Sequence, residues 1–291
     1  MEFVTQLYPC SLCNGAITKP VLNKAGFHIV QCSQCSFVYV SPRIKNGQLE
    51  SIYQHSYFKN KDYGYVGYEQ EKRLRVKNFE RWLKDAAPFM PADSAYHALD
   101  IGCAAGYCLE IMNDKGWQSE GLELDQEMCI DLNKAGQKVH HTAIEEFKSD
   151  VKYQVITLFD VIEHITALDI AFKQLSNLVA ADGVIIMVTP NYNSLQRKLF
   201  GKKWFQYKPI EHIQYFTKQT LEVFAKRNGL EVVHHTSCGQ YADVQFLLNR
   251  LSYYKLPFLS KIFTKIFHCL NLKHHLFYTD TGSLFVVLKK A

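Results

Sequence analysis

The chain has 291 residues, with 33 Lys plus Arg against 28 Asp plus Glu, which gives a formal net charge of +5. Hydrophobic residues make up 47% and charged residues 21%, a balance that excludes an intrinsically disordered chain. A chain this long buries roughly three quarters of the surface its unfolded form exposes, enough for one large domain with a small appendage.

The first residues, Met1 to Tyr8, carry an acid at Glu2, no cation precedes Lys19, and no apolar core leads to a small-residue cleavage site. That is not the pattern of a signal peptide. The longest apolar runs, Val184 to Val188 and Leu284 to Leu288, fall far short of the ~20 residues that cross a bilayer. A cytoplasmic protein is expected. The nine cysteines are odd in number, and the last five (Cys103, Cys108, Cys129, Cys238 and Cys269) are scattered through periodic segments, so a disulfide framework is not expected.

The first four cysteines form two C-x-x-C pairs, Cys10 with Cys13 and Cys32 with Cys35. Each pair lets two thiolates converge on one cation from a tight turn, and two such turns complete a tetrahedral sulfur site. A hairpin-length stretch with alternating character at Phe27 to Val30 separates them, so residues 1–45 read as a zinc ribbon. So small a unit needs the metal to fold, and four thiolates leave no open position for catalysis, so the zinc is structural. A redox dithiol is the alternative reading of such pairs. Ribbons also serve as nucleic-acid-binding modules, so this box alone does not separate an enzyme appendage from a recognition module.

Residues 46–92 form an aromatic-rich linker or lid with Tyr53, Tyr57, Phe58, Tyr63, Tyr65 and Tyr68, then a helical run from about Glu69 to Ala87 that ends before Pro88 and Pro91. Such tyrosines can close over a ligand, or simply pack the ribbon onto the main domain.

From residue 93 to 291 the chain alternates strand-like runs (Ala95 to Ile101, Ser119 to Leu124, a short one near Val139 to His141, Tyr153 to Phe159, Val184 to Thr189) with helices. The helices are expected at about Ala105 to Lys115, Gln126 to Ala135, Ala167 to Val179 and Lys218 to Asn228. This alternation implies an α/β, doubly wound, mostly parallel sheet whose ligand sits at the carboxyl ends of the strands. Glu231 to Thr236 and Ser283 to Lys289 would close it to seven strands as an antiparallel pair, with a helical insertion at 240–280 before the last strand.

The first of these strands ends in Asp100-Ile101-Gly102-Cys103-Ala104-Ala105-Gly106. Gly102 and Gly106 allow a sharp turn and a close approach to a ligand. The nicotinamide fingerprint fails, because Ala104 and Tyr107 stand where its second and third glycines belong. Asp100 would repel a pyrophosphate but suits an ammonium and a sulfonium, and Glu123, about 20 residues on at the next strand tip, suits ribose hydroxyls. On these residues the chain resembles the class I S-adenosylmethionine-dependent methyltransferases, over about residues 95 to 237. The resemblance implies a Rossmann-like fold, S-adenosylmethionine as cofactor, and a cofactor site at Asp100, Gly102, Cys103, Ala104, Gly106, Glu123, Leu124, Phe159 and Asp160. Ala104 replaces a frequent glycine of that family, Gln154 replaces a usual acid of the fourth-strand block, and no Asp stands at Thr142 to Glu145 to hold adenine. Together with the cysteine box, the chain looks like the zinc-ribbon methyltransferases of sugar and polysaccharide pathways.

Two blocks should flank the cofactor after the fourth and fifth strands: Asp160-Val-Ile-Glu163-His164, and Tyr207 to Phe216 with Glu211-His212 at its centre. The second resembles the Glu-His segment at the acceptor of sugar C-methyltransferases. That implies His212 as base and Glu211 as its orienter or a sugar-hydroxyl acceptor, with His164 as a further catalytic candidate and Tyr207 nearby. The bland alternative is that His212 caps the loop before a helix starting at Thr217. In the first block Asp160, Glu163 and His164 would share one face of a helix and resemble the metal-holding trio of quinone-pathway O-methyltransferases; hydrogen bonding that merely ties the loop is the other reading. Residues 256–273 place Ile262, Phe263, Ile266, Phe267 and Leu270 opposite Lys261 and Lys265, a stripe that packs on its own domain or lies on an anionic membrane.

The function expected is methyl transfer to a small polar acceptor, a nucleotide sugar or glycan intermediate. O-methylation in quinone or secondary metabolism is the alternative within the enzyme class. Nucleic-acid binding is disfavoured by a net +5 without a basic block. A scaffold that keeps the cofactor fold without turnover is the third possibility.

Overall fold

The computed structural model describes residues 4–45, 72–92, 96–244 and 276–291, with Phe246, Leu248, Tyr253, Phe258, Phe263, Thr264 and Phe267 between the last two segments. The linker aromatics from Tyr53 to Tyr68 lie outside the described residues, as does most of the 256–273 stripe.

In chain order the strands are β1 (Thr5–Gln6), β2 (Thr18–Lys24), β3 (Phe27–Cys32), β4 (Val38–Val40) and β5 (Arg43–Ile44), then β6 (His97–Ile101), β7 (Gln118–Glu123), β8 (Lys138–His141), β9 (Tyr153–Phe159), β10 (Val179–Pro190), β11 (Gln214–Tyr215), β12 (Leu230–Asp243) and β13 (Leu276–Lys290). The helices are α1 (Lys72–Ala86), α2 (Tyr107–Asp114), α3 (Gln126–Lys134), α4 (Leu168–Leu178), α5 (Leu195–Phe200) and α6 (Lys218–Arg227).

The large sheet has seven strands in the order β8-β7-β6-β9-β10-β13-β12. The five from β8 to β10 run parallel, β13 runs antiparallel to β10, and β12 antiparallel to β13. The doubly wound sheet expected from the alternation is therefore present. Its central strands are buried along most of their length because helices cover both faces. On one face α4 presents Leu168, Ala171, Phe172, Leu175 and Leu178 at helical spacing, packed with Phe224 of α6; on the other, Trp82 and Leu83 of α1 meet Met112 of α2, Val184, Ile186 and Phe285. Capping fixes the helix starts. Asp125 accepts from the Met128 amide at 3.1 Å, and Thr217 accepts from the Thr220 amide at 3.2 Å.

Three features depart from the sequence expectation. The terminal pair is much longer than Glu231 to Thr236 and Ser283 to Lys289, pairing as far as Asp243 with Leu276, which confines the insertion to 244–275. The tract after β9 is one 3-10 turn, Ile162–His164, and Asp160 lies before it at φ 55°, so Asp160, Glu163 and His164 do not share a helical face. Finally, β11 leaves the large sheet and joins β2, β3 and β4 in a second sheet of order β11-β4-β3-β2. The cysteine box and the segment carrying Glu211-His212 are thus parts of one sheet.

Candidate active site

The turn from β6 into α2 takes Gly102 at φ 69°, Ala104 at φ 47° and Gly106 at φ 72°. A Cβ on Gly102 would lie 2.7 Å from Val161 Cγ2, so this position needs glycine on both conformational and steric grounds. Ala104 holds a left-handed conformation that an L side chain disfavours. Its amide donates to Glu123 Oε2 at 2.8 Å, while Glu123 Oε1 accepts from Leu124 N at 2.7 Å and Asp125 N at 2.9 Å. Glu123 therefore pins two strand tips as well as presenting a carboxylate. Burial pushes it above the usual carboxylate range, against the pull of those amides.

In the parallel register Asp100 faces Thr157, whose hydroxyl donates to Asp100 Oδ1. Burial raises Asp100 to about 7, the Thr157 bond opposes the rise, and Glu123 adds to it. Two buried carboxylates at neighbouring strand ends, beside a turn that admits close backbone approach, match a ligand with positive charge and vicinal hydroxyls. S-adenosylmethionine is such a ligand. Cys103 turns its thiol into packing with Leu109, Cys129 and Val139. Phe159 stacks on Phe79 at 5.5 Å and tilts against Trp82 at 5.0 Å, tying the end of β9 to α1. Asp160 rises to about 6 through burial, opposed by Arg75 and Lys208.

The two histidine blocks meet. Ligand atoms of Glu163, His164 and His212 all lie within 4.8 Å of one another, and the imidazole centroids of His164 and His212 are 4.9 Å apart. His212 Nδ1 contacts the Gln206 carbonyl at 3.0 Å, and His164 Nδ1 the Glu211 carbonyl at 3.0 Å. A carbonyl only accepts, so the neutral His212 ring carries its hydrogen on Nδ1 and leaves Nε2 unprotonated, whereas His164 meets the backbone of both Glu211 and Asp160. His212 Nε2 and Glu163 Oε1 are both buried without a hydrogen-bond partner, while Glu163 Oε2 accepts from Thr189 Oγ1 at 2.9 Å. Burial, then His164 and Lys208, depress His212 well below the usual imidazole range, and burial takes His164 to about 4. Burial lifts Glu163 well above the carboxylate range.

Of the two roles expected for Glu211, orienter of His212 or sugar-hydroxyl acceptor, the geometry does not place it as the orienter. Its side chain accepts from Lys208 Nζ at 3.3 Å, and it acts on His164 through its backbone carbonyl. The carboxyl beside His212 is Glu163. The sequence signal for Glu163 is the first Glu-His pair, which local spacing groups with Asp160 and not with His212. The Nδ1 bond of His212 to the Gln206 carbonyl closes the 206–212 loop, as the bland alternative expects, while Thr217 and Thr220 cap α6 between themselves.

The four cysteine sulfurs lie within 4.8 Å of one another, with Cys10 and Cys35, and Cys13 and Cys32, each 3.4 Å apart. A tetrahedral zinc with bonds of about 2.3 Å requires sulfurs about 3.8 Å apart, so the donor set fits. Both knuckles follow one plan: Asn14 N donates to Cys10 O and Ser36 N to Cys32 O, with Asn14 and Ser36 at positive φ. Burial pushes the Cys10 thiol up; at Cys32 the amides of Cys35 and Gln34 outweigh burial and bring it to about 7.

This box is wired to the histidines. Val40 N donates to Ile213 O and Ile213 N to Glu163 O, each at 3.0 Å, while Gln214 pairs with Tyr39 and Tyr215 with Val38 across β11 and β4. Arg227 of α6 donates to the Leu12 carbonyl at 2.6 Å, and Phe37 packs on Phe216 and Phe224. The ribbon thereby sets the position of the residues on either side of His212.

The strand order and the acidic glycine turn define a class I S-adenosylmethionine-dependent methyltransferase. Residues 70–235, more than half of the chain, match the family model described as "Methyltransferase domain", and the chain belongs to that family. Among solved structures it is similar to a S-adenosylmethionine-dependent methyltransferase of Clostridium acetobutylicum (15% identity, TM-score 0.51, covering 77% of this chain and 97% of that one). It is similar also to a SAM-dependent methyltransferase of Archaeoglobus fulgidus (17%, 0.52, 77% and 100%). A third neighbour is the Haloferax volcanii complex between the Trm112 methyltransferase activator and a methyltransferase (14%, 0.54, 77% and 95%). These likenesses show the fold. No curated protein matches the chain in sequence. The chain is a SAM-dependent methyltransferase.

Proposed function

We propose that the enzyme methylates a small polar acceptor, a nucleotide sugar or glycan intermediate, and that His212 removes the acceptor's proton. The observation that carries this reading is the buried, unpartnered Nε2 of His212, held as the basic nitrogen by the Gln206 carbonyl. When bound, S-adenosylmethionine supplies an electrophilic methyl on its sulfonium. Asp100 and Glu123 hold its charged and ribose portions, with Gly102, Ala104, Gly106 and Leu124 as backbone and Phe159 and Asp160 at the tip of β9. Only the neutral imidazole accepts a proton; burial opposes its charging, and the unpartnered Oε1 of Glu163 is the nearby acceptor left for the imidazolium N–H. His164, locked by the Glu211 carbonyl, packs edge-on against His212 and fixes its plane. Cys10, Cys13, Cys32 and Cys35 hold a structural zinc that keeps β4 and β11 together.

The test is transfer of label from methyl-labelled S-adenosylmethionine to purified nucleotide sugars and glycan precursors. Label should appear there and not in RNA, and His212→Ala should lower turnover while sparing cofactor affinity. Undiminished turnover by His212→Ala would refute the assignment.

One observation favours a second reading. Glu163, His164 and His212 form a two-histidine, one-carboxylate set of the kind that holds a divalent ion, which would serve O-methylation by lowering the pKa of an acceptor hydroxyl. Chelation that leaves the cysteine-bound zinc in place separates the two: activity persists under the base mechanism and is lost under the metal one.

A further inference from the structure

The segment between β10 and the Tyr207 to His212 block displays an unusual face. Helix α5 holds Leu195 at 65% and Leu199 at 71% exposure, one turn apart and therefore side by side. Lys198, Lys202 and Lys203 are exposed around them. No Asp or Glu occurs from Tyr192 to Ile210. Asp280, on the Gln196 side of the helix, accepts hydrogen bonds from Gln196, Ser237 and the Gly282 amide.

This face is rigidly mounted. Ser194 caps α5 by accepting from Arg197 N at 3.2 Å, Arg197 folds back over the Tyr192 ring at 4.1 Å, and buried Trp204 and Tyr207 anchor the chain just beyond. Solvent-facing leucines gain nothing from their own domain, and water contact at two neighbouring leucines is unfavourable.

We propose that α5 and the following turn dock the enzyme on an anionic lipid surface, the leucines entering the headgroup boundary and the lysines contacting lipid phosphates. Charge complementarity and shape choose this occupant. The cations flank two protruding aliphatic side chains, the arrangement of an interfacial anchor, whereas a stable protein interface needs about 800 Å² per partner around a packed core. Four residues separate Lys203 from Lys208, and His212 follows, so docking here would bring the acceptor site to the membrane plane and suit a lipid-linked acceptor. That consequence rests on the reading of His212 given above; the docking itself does not.

The test is co-sedimentation of the full-length protein with vesicles of phosphatidylcholine alone and of phosphatidylcholine mixed with phosphatidylglycerol. Binding should appear with the mixed vesicles and weaken as salt rises. The double variant Leu195→Ser, Leu199→Ser should lose about tenfold. The triple variant Lys198→Gln, Lys202→Gln, Lys203→Gln should lose on the order of a hundredfold. Both should bind S-adenosylhomocysteine like the parent, which shows that they fold. Failure of the parent protein to sediment, or unchanged sedimentation by both variants, would overturn the proposal. Loss only in the lysine variant would also overturn it, because the leucines would then not enter the headgroup boundary.

Discussion

Replacing Glu123 by Gln preserves size and removes one negative charge, yet the turn cannot accommodate it. Both carboxylate oxygens face backbone donors: Oε1 accepts from Leu124 N and Asp125 N, and Oε2 from Ala104 N. A glutamine amide must place its NH2 at one of these positions, where donor meets donor. The better rotamer keeps the two bonds at Oε1, weakened by loss of charge, and sets the NH2 against Ala104 N. Hydrogen bonds to a charged group contribute about 1.5–3 kcal/mol each, and a buried donor left unpaired costs about 1–3 kcal/mol. Ala104 is also the residue held at φ 47°, so its turn loses the bond that stabilises a disfavoured conformation. The expected cost is about 2–4 kcal/mol, a fall in Tm of roughly 4–12 °C for a large single domain. Differential scanning calorimetry measures the Tm, and isothermal titration with S-adenosylhomocysteine should show affinity reduced by at least about tenfold, since the ribose acceptor and the turn are disturbed together. A variant with parental Tm and parental affinity would refute the reasoning.

Four further outcomes are expected. Asp100, raised to about 7 by burial, binds a cationic ligand only when ionised, so S-adenosylmethionine affinity should rise with pH up to about 7 and fall by up to about tenfold per pH unit below it. The same raised value means that the free protein loses stability as pH rises from the ordinary carboxylate range through about 7, and Asp100→Asn should flatten both profiles. Because burial lowers His212, the acid limb of turnover at saturating S-adenosylmethionine should fall below the ordinary histidine range; a limb near pH 6.5 that moves in His212→Gln would argue against a buried base. Cys32→Ser should release β4 from β11 and lower turnover by about a hundredfold while cofactor affinity changes little, because the cradle lies on β6 and β7. Equal losses in both quantities would mean that the ribbon supports the whole domain.

Much of the fold was legible because its signals are local. The run from Leu99 to Gly106 announces a strand, a tight turn and a helix within eight residues, and Tyr153–Phe159 reads as a buried strand with its observed limits. The four cysteines reveal their site because thiolate chemistry fixes their spacing. The neighbouring positions of Asp100 and Glu123 were legible because β6 and β7, joined by the first crossover, pair side by side. Even the family resemblance rests on such short spacings.

What the sequence left open depends on contacts between distant segments. Glu163 and His212 are 49 positions apart, and no periodicity connects them; the pairing arises where the loops after β9 and β10 converge. β11 is two residues long, too short to show alternation, and exists because β4 offers it an edge. The long arms of β12 and β13 carry polar and apolar residues without regular alternation, so only mutual pairing extends them to Asp243 and Leu276. By itself the sequence determined the cofactor chemistry and the cysteine site, because each is written in residues fixed by local geometry. Tertiary structure alone decided which carboxyl faces His212 and that the cysteine box shares a sheet with the segment following His212, because both follow from the closure of long loops around a shared core.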